Sequence, residues 1–374
     1  MNQPRPSVLF VGAFPRPDVK VFGGMITSCR ALLASSLPAR VHLDLLDSTQ
    51  ISNPPPALPV RLCLAILRLA RFVRRFESRR PQAVILFAAL GGSIVEKGAM
   101  ARYARLRGVP SLIFPRAGFI VEACRKSAFT RAWARFSFRG AQRIVCQSAA
   151  WRAFAIESLG FAPENVTVIR NWTAGPELLS IGEQRRVSAA FPVQILFVGW
   201  LERDKGVIDL IRACATLRER CDFRLKIVGD GRAAAEAREL VERFGLADVI
   251  EFRGWLQTAD LHAALREADV FVLPSWAEGL PNAMIEAMAA RVAVLASAVG
   301  AIPEVITDHE SGLLVPPRDG TALSGALAEI IADGALRCRL ADAAFEIARR
   351  EFAPESAVDK LVVLIESTVA HHAS

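Results

Sequence analysis

Glu278 and Glu286 bracket the stretch Glu278-Gly-Leu-Pro-Asn-Ala-Met-Ile-Glu286. Two carboxylates at a fixed spacing invite comparison with the acid/base pair of a glycosidase. With every step helical, the two lie about 12 Å apart along the axis. Hydrolytic pairs face each other across roughly 5 to 9.5 Å. The wider spacing suits two separate acceptors for hydroxyl groups. A helix start with one surface glutamate and one core-edge glutamate has the same spacing, so spacing alone leaves both readings open. Lys205 and Arg203 lie in the glycine-bounded segment Gly199–Gly206. A cation there can neutralise a departing diphosphate, although a solvated lysine before a helix has the same local sequence.

The elements around these residues set their positions. Ala268-Asp-Val-Phe-Val-Leu273, closed by Pro274 and Ser275, reads as a buried strand. Pro281 suits the first turn of a helix, where a missing N–H costs nothing. Glu278 then lies in the loop at the strand's C-terminal end and Glu286 on the following helix. Between them the backbone N–H groups of a helix N-terminus suit an anion. An open α/β sheet binds its ligand at that place. Gly229, Asp230 and Gly231 end a second strand, and Gly254 and Trp255 follow a third. Gly23 and Gly24 follow the first strand of the chain. Glycine there permits close backbone approach to a phosphate or sugar, and an ordinary turn fits equally well.

Short apolar runs alternate with longer helical stretches throughout. Strands are expected at 8–11, 41–46, 83–88, 111–114, 143–146 and 166–170, then at 194–198, 223–228, 249–252, 269–273, 292–296 and 312–315. Apolar rather than alternating strands, with helices between them, imply parallel sheets covered on both faces. Two such sets in succession imply two doubly wound, Rossmann-like domains. A length of 374 residues agrees with two domains. The expected division is 1–178 and 190–351, with a linker near 173–191.

The segment "ADVFVLPSWAEGLPNAMIEAMA" closely resembles the donor-site signature of retaining glycosyltransferases of family 4. Three further stretches resemble that family in the right order: "ILFVGWLERDKG", "LKIVGDG" and "VGAIPEVITDHESGLLVPPRD". The resemblance is strong from Val193 to about Asp319 and loose before it. It implies an α/β protein of the GT-B fold, with two Rossmann-like parallel-sheet domains facing a cleft. It also implies that the last helix, about 352–374, crosses back to the first domain. By that resemblance Glu286 binds ribose hydroxyls and Glu278 stands near the donor sugar. Gly279, Leu280 and Pro281 present backbone to sugar and phosphate, and Lys205 and Glu278 act in catalysis. Gly23, Gly24, Gly229, Asp230, Gly231 and Trp255 shape the nucleotide-sugar pocket. The family's usual arginine after the strand-end glycine is Trp200 here, which leaves Arg203 as the second cation. Its usual histidine on the acceptor side is Arg116, followed by Gly118. No Asp-x-Asp stands where a metal would be held, so neither metal nor cofactor is expected. The substrate implied is a nucleotide diphosphate sugar, and the acceptor a lipid-linked or polysaccharide hydroxyl.

Charge adds a partner. Residues 1–180 carry 25 Lys and Arg against 9 Asp and Glu, a net of +16. The remainder carries 21 against 29, a net of −8. A basic half suits a polyanion or an anionic membrane surface. Helix-turn-helix, RNA-recognition and zinc-finger signatures are lacking, so nucleic acid is not the expected partner. Arg125–Arg143 interleaves cations with Phe129, Trp133, Phe136 and Phe138, as interfacial segments do. In Arg61–Arg80, Leu62, Ile66, Leu69, Val73 and Phe76 form one stripe expected to cover the sheet. Arg61, Arg68, Arg71, Arg75 and Arg79 occupy another sector. No run approaches a spanning helix, and the N-terminal apolar run is too short for a signal-peptide core. Seven cysteines without metal spacing fit free thiols in a reducing compartment. The expected location is cytoplasmic, peripheral at the inner face of the membrane. Two alternatives share these features: a nucleotide-sugar epimerase of the same fold, and a non-enzymatic peripheral membrane protein that keeps a sugar-nucleotide pocket.

Overall fold

The computed structural model describes residues 5–15, 23–49, 56–89, 91–116, 118–185 and 191–373. The chain forms two compact units, 1–172 with 354–374, and 173–353.

The first unit is a parallel sheet of Ser7–Gly12 (β1), His42–Asp47 (β2), Ala83–Ala88 (β3), Ser111–Pro115 (β4), Arg143–Cys146 (β5) and Val166–Val168 (β6), in the order β2-β1-β3-β4-β5-β6. Its helices are Gly24–Ala34 (α1), Leu37–Arg40 (α2), Leu58–Arg79 (α3), Gly92–Leu106 (α4), Phe119–Lys126 (α5), Ala128–Phe138 (α6) and Ala149–Glu157 (α7). β3, β4 and most of β5 are buried end to end. This is the consequence of helices on both faces and the reason these strands read as unbroken apolar runs.

The second unit holds Pro176–Gln184 (α8), Val207–Leu217 (α9), Ala234–Arg243 (α10), Thr258–Glu267 (α11), Asn282–Ala289 (α12), Gly320–Ala332 (α13) and Gly334–Glu351 (α14). Its strands are Val193–Val198 (β7), Phe223–Val228 (β8), Ile250–Gly254 (β9), Val270–Leu273 (β10), Ala293–Ser297 (β11) and Leu313–Val315 (β12), all parallel and ordered β12-β11-β10-β7-β8-β9. The order reverses between β7 and β10, so the loops that follow those two strands open at the switch point. All twelve strands lie where the apolar runs place them, with ends shifted by a residue or two.

Pro354–Ala373 (α15) returns to the first unit, where Val358, Leu361 and Ile365 are buried with β1, β3 and β4 residues. Ser36 donates to Glu355, and Arg40 pairs with Asp359, at the same seam. Two expectations need correction. Part of the linker stretch is the helix α8, which starts on Pro176 and buries Leu178 and Ile181 in the second unit's core. The apolar stripe of α3 covers the sheet only in its C-terminal half. Phe72 and Phe76 are buried there, whereas Leu62 and Ile66 are 56% and 66% exposed. A helix of 22 residues runs about 33 Å. A strand of six residues spans only about 20 Å, so the first turns overshoot the sheet. Arg68, in the arginine sector of the same helix, finds a partner on α4. It grips Glu96 through two bonds of 2.8 Å, beside the buried Lys97.

Candidate functional site

The C-terminal edge of the second sheet gathers the loops after β7, β8, β10 and β11. After β7 the chain makes a short 3-10 turn, Arg203–Lys205, that ends on Gly206. Gly206 has a φ of +72°, and a Cβ there would lie 2.0 Å from the Pro274 carbonyl oxygen. A side chain would force the two loops apart. Further bonds tie them together. The Trp276 N–H donates to the Asp204 carbonyl at 2.8 Å, and its indole Nε1 donates to Asp209 Oδ2 at 2.8 Å. The Arg318 guanidinium stacks 4.5 Å above the Trp276 ring.

This clamp brings Lys205 Nζ within 2.6 Å of Glu278 Oε1, across 73 positions of sequence. Ser275 Oγ donates to the same oxygen at 2.8 Å. Both charged groups are mostly buried, with side-chain exposures of 19% and 10%. A charge pair in such a place is stronger than one in water and responds to any anion that enters. The loop after β11 packs against the backbone of Glu278 and Gly279. Gly300 has a φ of +58°, and a Cβ there would fall 2.2 Å from the Glu278 carbonyl oxygen. Ala301 N–H donates to the Gly279 carbonyl at 2.8 Å. Leu280 is buried, and Pro281 is the residue that caps α12 rather than the first of its turn.

Glu286 sits one turn into α12, among the buried Met284, Ile285, Ala287 and Met288. Among the described residues no group donates a hydrogen bond to its carboxylate. Burial alone pushes its pKa up to about 8. The carboxyl therefore carries a proton at neutral pH until a ligand supplies donors, which are what a buried carboxylate needs. Lys205 and Glu278 thus form a charged pair, and Glu286 a neutral carboxyl without a protein donor among the described residues, on neighbouring segments of one loop and helix.

The other candidates divide. At the end of β8, Leu201 N–H donates to the Asp230 carbonyl at 3.0 Å, and Asp230 Oδ1 accepts from Gly231 N–H at 2.8 Å. Gly229, Asp230 and Gly231 therefore support the Lys205 loop. Trp255, after β9, packs edge-on against Trp200 with ring centroids 4.7 Å apart. The residue that stands in for the family's arginine is thus an aromatic partner of Trp255. Arg203 is well exposed and pairs with Glu236 of α10 at 2.7 Å, so Lys205 is the cation at the carboxylate. Gly23, Gly24, Arg116 and Gly118 belong to the first unit. Gly23 precedes α1 with a φ of 150°, and its carbonyl accepts from Ile26 and Thr27. Gly118 precedes α5. Arg116 lies over the rings of Trp172 and Phe87, at 4.8 and 5.4 Å, and donates to Ser28 Oγ. Burial lowers its guanidinium to about 10, still charged at neutral pH. The described residues hold no cluster of three or more His, Cys, Asp or Glu suited to a metal.

Sequence reasoning missed Ser275, Asp209, Trp276, Arg318 and Gly300. A hydroxyl two residues past an apolar strand and a glycine three residues past the next strand were the available signals. The aromatic clamp had none, because its partners are distant in sequence.

Residues 192–333 match the family model described as "Glycosyl transferases group 1", and residues 27–172 match the "Glycosyl transferase 4-like domain". WcaL of Salmonella typhimurium, whose name assigns it provisionally to colanic acid biosynthesis, is 34% identical over 199 residues, 51% of this chain and 48% of that one. The lipopolysaccharide core biosynthesis glycosyltransferase LpsE of Rhizobium meliloti is 28% identical over 230 residues, 62% and 66% of the two chains. The chain therefore spans about half to two thirds of the length of these relatives. Sucrose-phosphate synthase of Thermosynechococcus elongatus superposes with a TM-score of 0.79 at 22% identity, over 98% of this chain and 100% of that one. HepE of Anabaena, solved with UDP and glucose, gives 0.71 at 18% identity, over 97% and 100%. At these identities the likeness is one of fold. With a glycosyltransferase domain model on each unit and two doubly wound sheets that superpose on these structures along nearly its whole length, the chain has the GT-B glycosyltransferase fold.

Proposed function

We propose that the protein is a retaining, metal-independent glycosyltransferase. It moves a sugar from a nucleotide diphosphate donor to a hydroxyl of a lipid-linked or polysaccharide acceptor during surface glycan biosynthesis. The observation that carries this reading is the Lys205–Glu278 pair, 2.6 Å long at the switch-point edge of the second sheet. When the bond between the anomeric carbon and the diphosphate breaks, negative charge develops on the leaving oxygen. Lys205 and the first amides of α12 meet that charge. As Lys205 turns to the phosphate, Glu278 is released to accept hydrogen bonds from the sugar. Glu286 takes the ribose diol and loses its proton. The acceptor hydroxyl attacks from the face the diphosphate leaves, and the leaving oxygen takes its proton, so no protein base is required. The names of LpsE and WcaL support a glycan acceptor, and the UDP in HepE supports a nucleotide donor. Arg116 and Gly118 serve the acceptor side.

The acceptor is reached at the inner face of the membrane. No helix among the described residues is long and apolar enough to cross it. On α6, Phe129, Trp133 and Phe136 are 79%, 47% and 64% exposed among arginines, which suits peripheral attachment.

Thermal shift against a panel of nucleotide diphosphates tests the donor assignment. A ligand at 100 times its dissociation constant adds roughly 2.7 kcal/mol. The matching nucleotide sugar is then incubated with glycolipid acceptors, and the released nucleotide and the product anomer are measured. Absence of both a stabilising nucleotide and donor turnover overturns the proposal. Epimerised sugar without transfer assigns the site to the other chemistry.

A further inference from the structure

α4 and α6 of the first unit approach closely. A Cβ on Gly98 would lie 2.7 Å from the Ser137 carbonyl oxygen, and one on Gly140 2.7 Å from that of Gly98. The approach brings the arginines of both helices to one side, around a shallow, open pocket of about 410 Å³. Its lining is Arg102, Arg105, Ala132, Arg135, Phe136 and Arg139, with no acidic residue. Arg102 is held in place: its guanidinium stacks 3.8 Å over the Phe136 ring and donates to the Phe136 carbonyl. None of the four arginines forms an ion pair among the described residues. Elsewhere on the same unit arginines do find carboxylates, as Arg68 with Glu96, Arg75 with Asp44 and Arg107 with Glu77.

Four guanidinium groups around one small pocket repel one another. They also form a concentrated field for an anion, and guanidinium geometry favours phosphate. The surroundings decide the source of that phosphate. Leu106 is 84% exposed beside Arg105, and Phe136 and Trp133 are 64% and 47% exposed on the same helix as Arg135. A free phosphate ion leaves this apolar surface in water, whereas a lipid covers it. We propose that the pocket binds the terminal phosphate of an anionic lipid headgroup, with the neighbouring apolar side chains in the acyl boundary. The inference rests on the membrane-surface reading above and gives that surface a specific site.

The test compares phosphatidylcholine vesicles doped with phosphatidic acid against vesicles doped with phosphatidylserine at equal surface charge. The proteins are wild type, Arg105→Lys/Arg139→Lys, and a control, Arg71→Gln/Arg74→Gln, which removes two exposed charges on α3 away from the pocket. Wild type and control are expected to favour phosphatidic acid by about tenfold, and the lysine variant to lose that preference with its charge unchanged. Millimolar inorganic phosphate is expected to leave vesicle binding in place. Equal binding of wild type to both vesicles, or a preference retained by the lysine variant, overturns the headgroup site and leaves diffuse membrane attraction standing. Release by phosphate shows a soluble ligand and overturns the lipid assignment. Failure of wild type to bind either vesicle overturns the site together with the membrane reading.

Discussion

Replacing Glu286 by Gln tests the buried carboxyl with almost no change of shape. Burial raises its pKa from an ordinary 4.5 to about 8. Below pH 4.5 both folded and unfolded chains hold the proton, and the group has no effect on stability. Between 4.5 and 8 the unfolded chain releases it and the folded chain does not. Stability therefore falls as pH rises, by about 1.4 kcal/mol per unit, and levels off above 8. Over that window the loss is on the order of 5 kcal/mol. Gln carries no proton to lose. Glu286→Gln is thus expected to match wild type near pH 5 and to be markedly more stable at pH 8.5, measured by calorimetric unfolding with the transitions of the two units followed separately. Nucleotide binding moves the opposite way. If the ionised carboxylate accepts from the ribose diol, wild-type affinity for the diphosphate falls about tenfold per unit as pH drops below 8, and the Gln variant binds weakly without that dependence. The nucleotide's own phosphate titration is common to both proteins and cancels in their ratio. Parallel stability profiles for the two proteins would show that Glu286 is not the titrating group. A constant affinity ratio from pH 6.5 to 8.5 would refute its role as the ionised acceptor.

Three further substitutions separate the remaining roles, and a fourth tests the surface. Lys205→Ala is expected to keep its fold and lose about 100- to 1000-fold in turnover, since the cation meets charge that develops in the transition state; unchanged turnover refutes that role. Glu278→Gln is expected to bind the free nucleotide diphosphate as wild type does and to transfer sugar poorly, read by calorimetry alongside turnover. Equal loss of product affinity in Glu278→Gln and Glu286→Gln removes the division between them. Trp276→Phe loses the 2.8 Å bond to Asp209 that holds the Lys205 loop. A drop in kcat of about tenfold with little change in stability is expected, as displacement of a positioned group costs rate, and an unaltered kcat discards the clamp. Changing Arg131, Arg135 and Arg139 to Glu is expected to release the protein from anionic vesicles in flotation while nucleotide affinity holds. Each cation near such a leaflet contributes about 1 kcal/mol, and wild type that stays in solution at low salt removes the membrane surface as a partner.

The fold was legible because its signals are local. Val84–Phe87, Ile113–Phe114 and Val270–Leu273 are unbroken apolar runs, and a strand buried on both faces cannot be otherwise. The ends of the runs in the second half placed Lys205, Gly229 and Glu278 at one edge of a sheet, since parallel strands share their C-terminal side. The sequence by itself therefore determined the element types, the two sheets and the loops in which candidate residues stand. Which side chains meet was decided by tertiary structure. The Lys205–Glu278 bond joins positions 73 apart, and the bond from Trp276 to Asp209 joins positions 67 apart. No local period encodes either. Arg68 read only as one of five arginines on a sector of α3, and it became the partner of Glu96 because the packing of α3 on α4 removed most water from both. Leu62 and Ile66 read as core and became surface, because α3 outruns the sheet it covers. In each case the local pattern states a preference, and the neighbours brought up by the fold determine whether it is met by protein or by solvent.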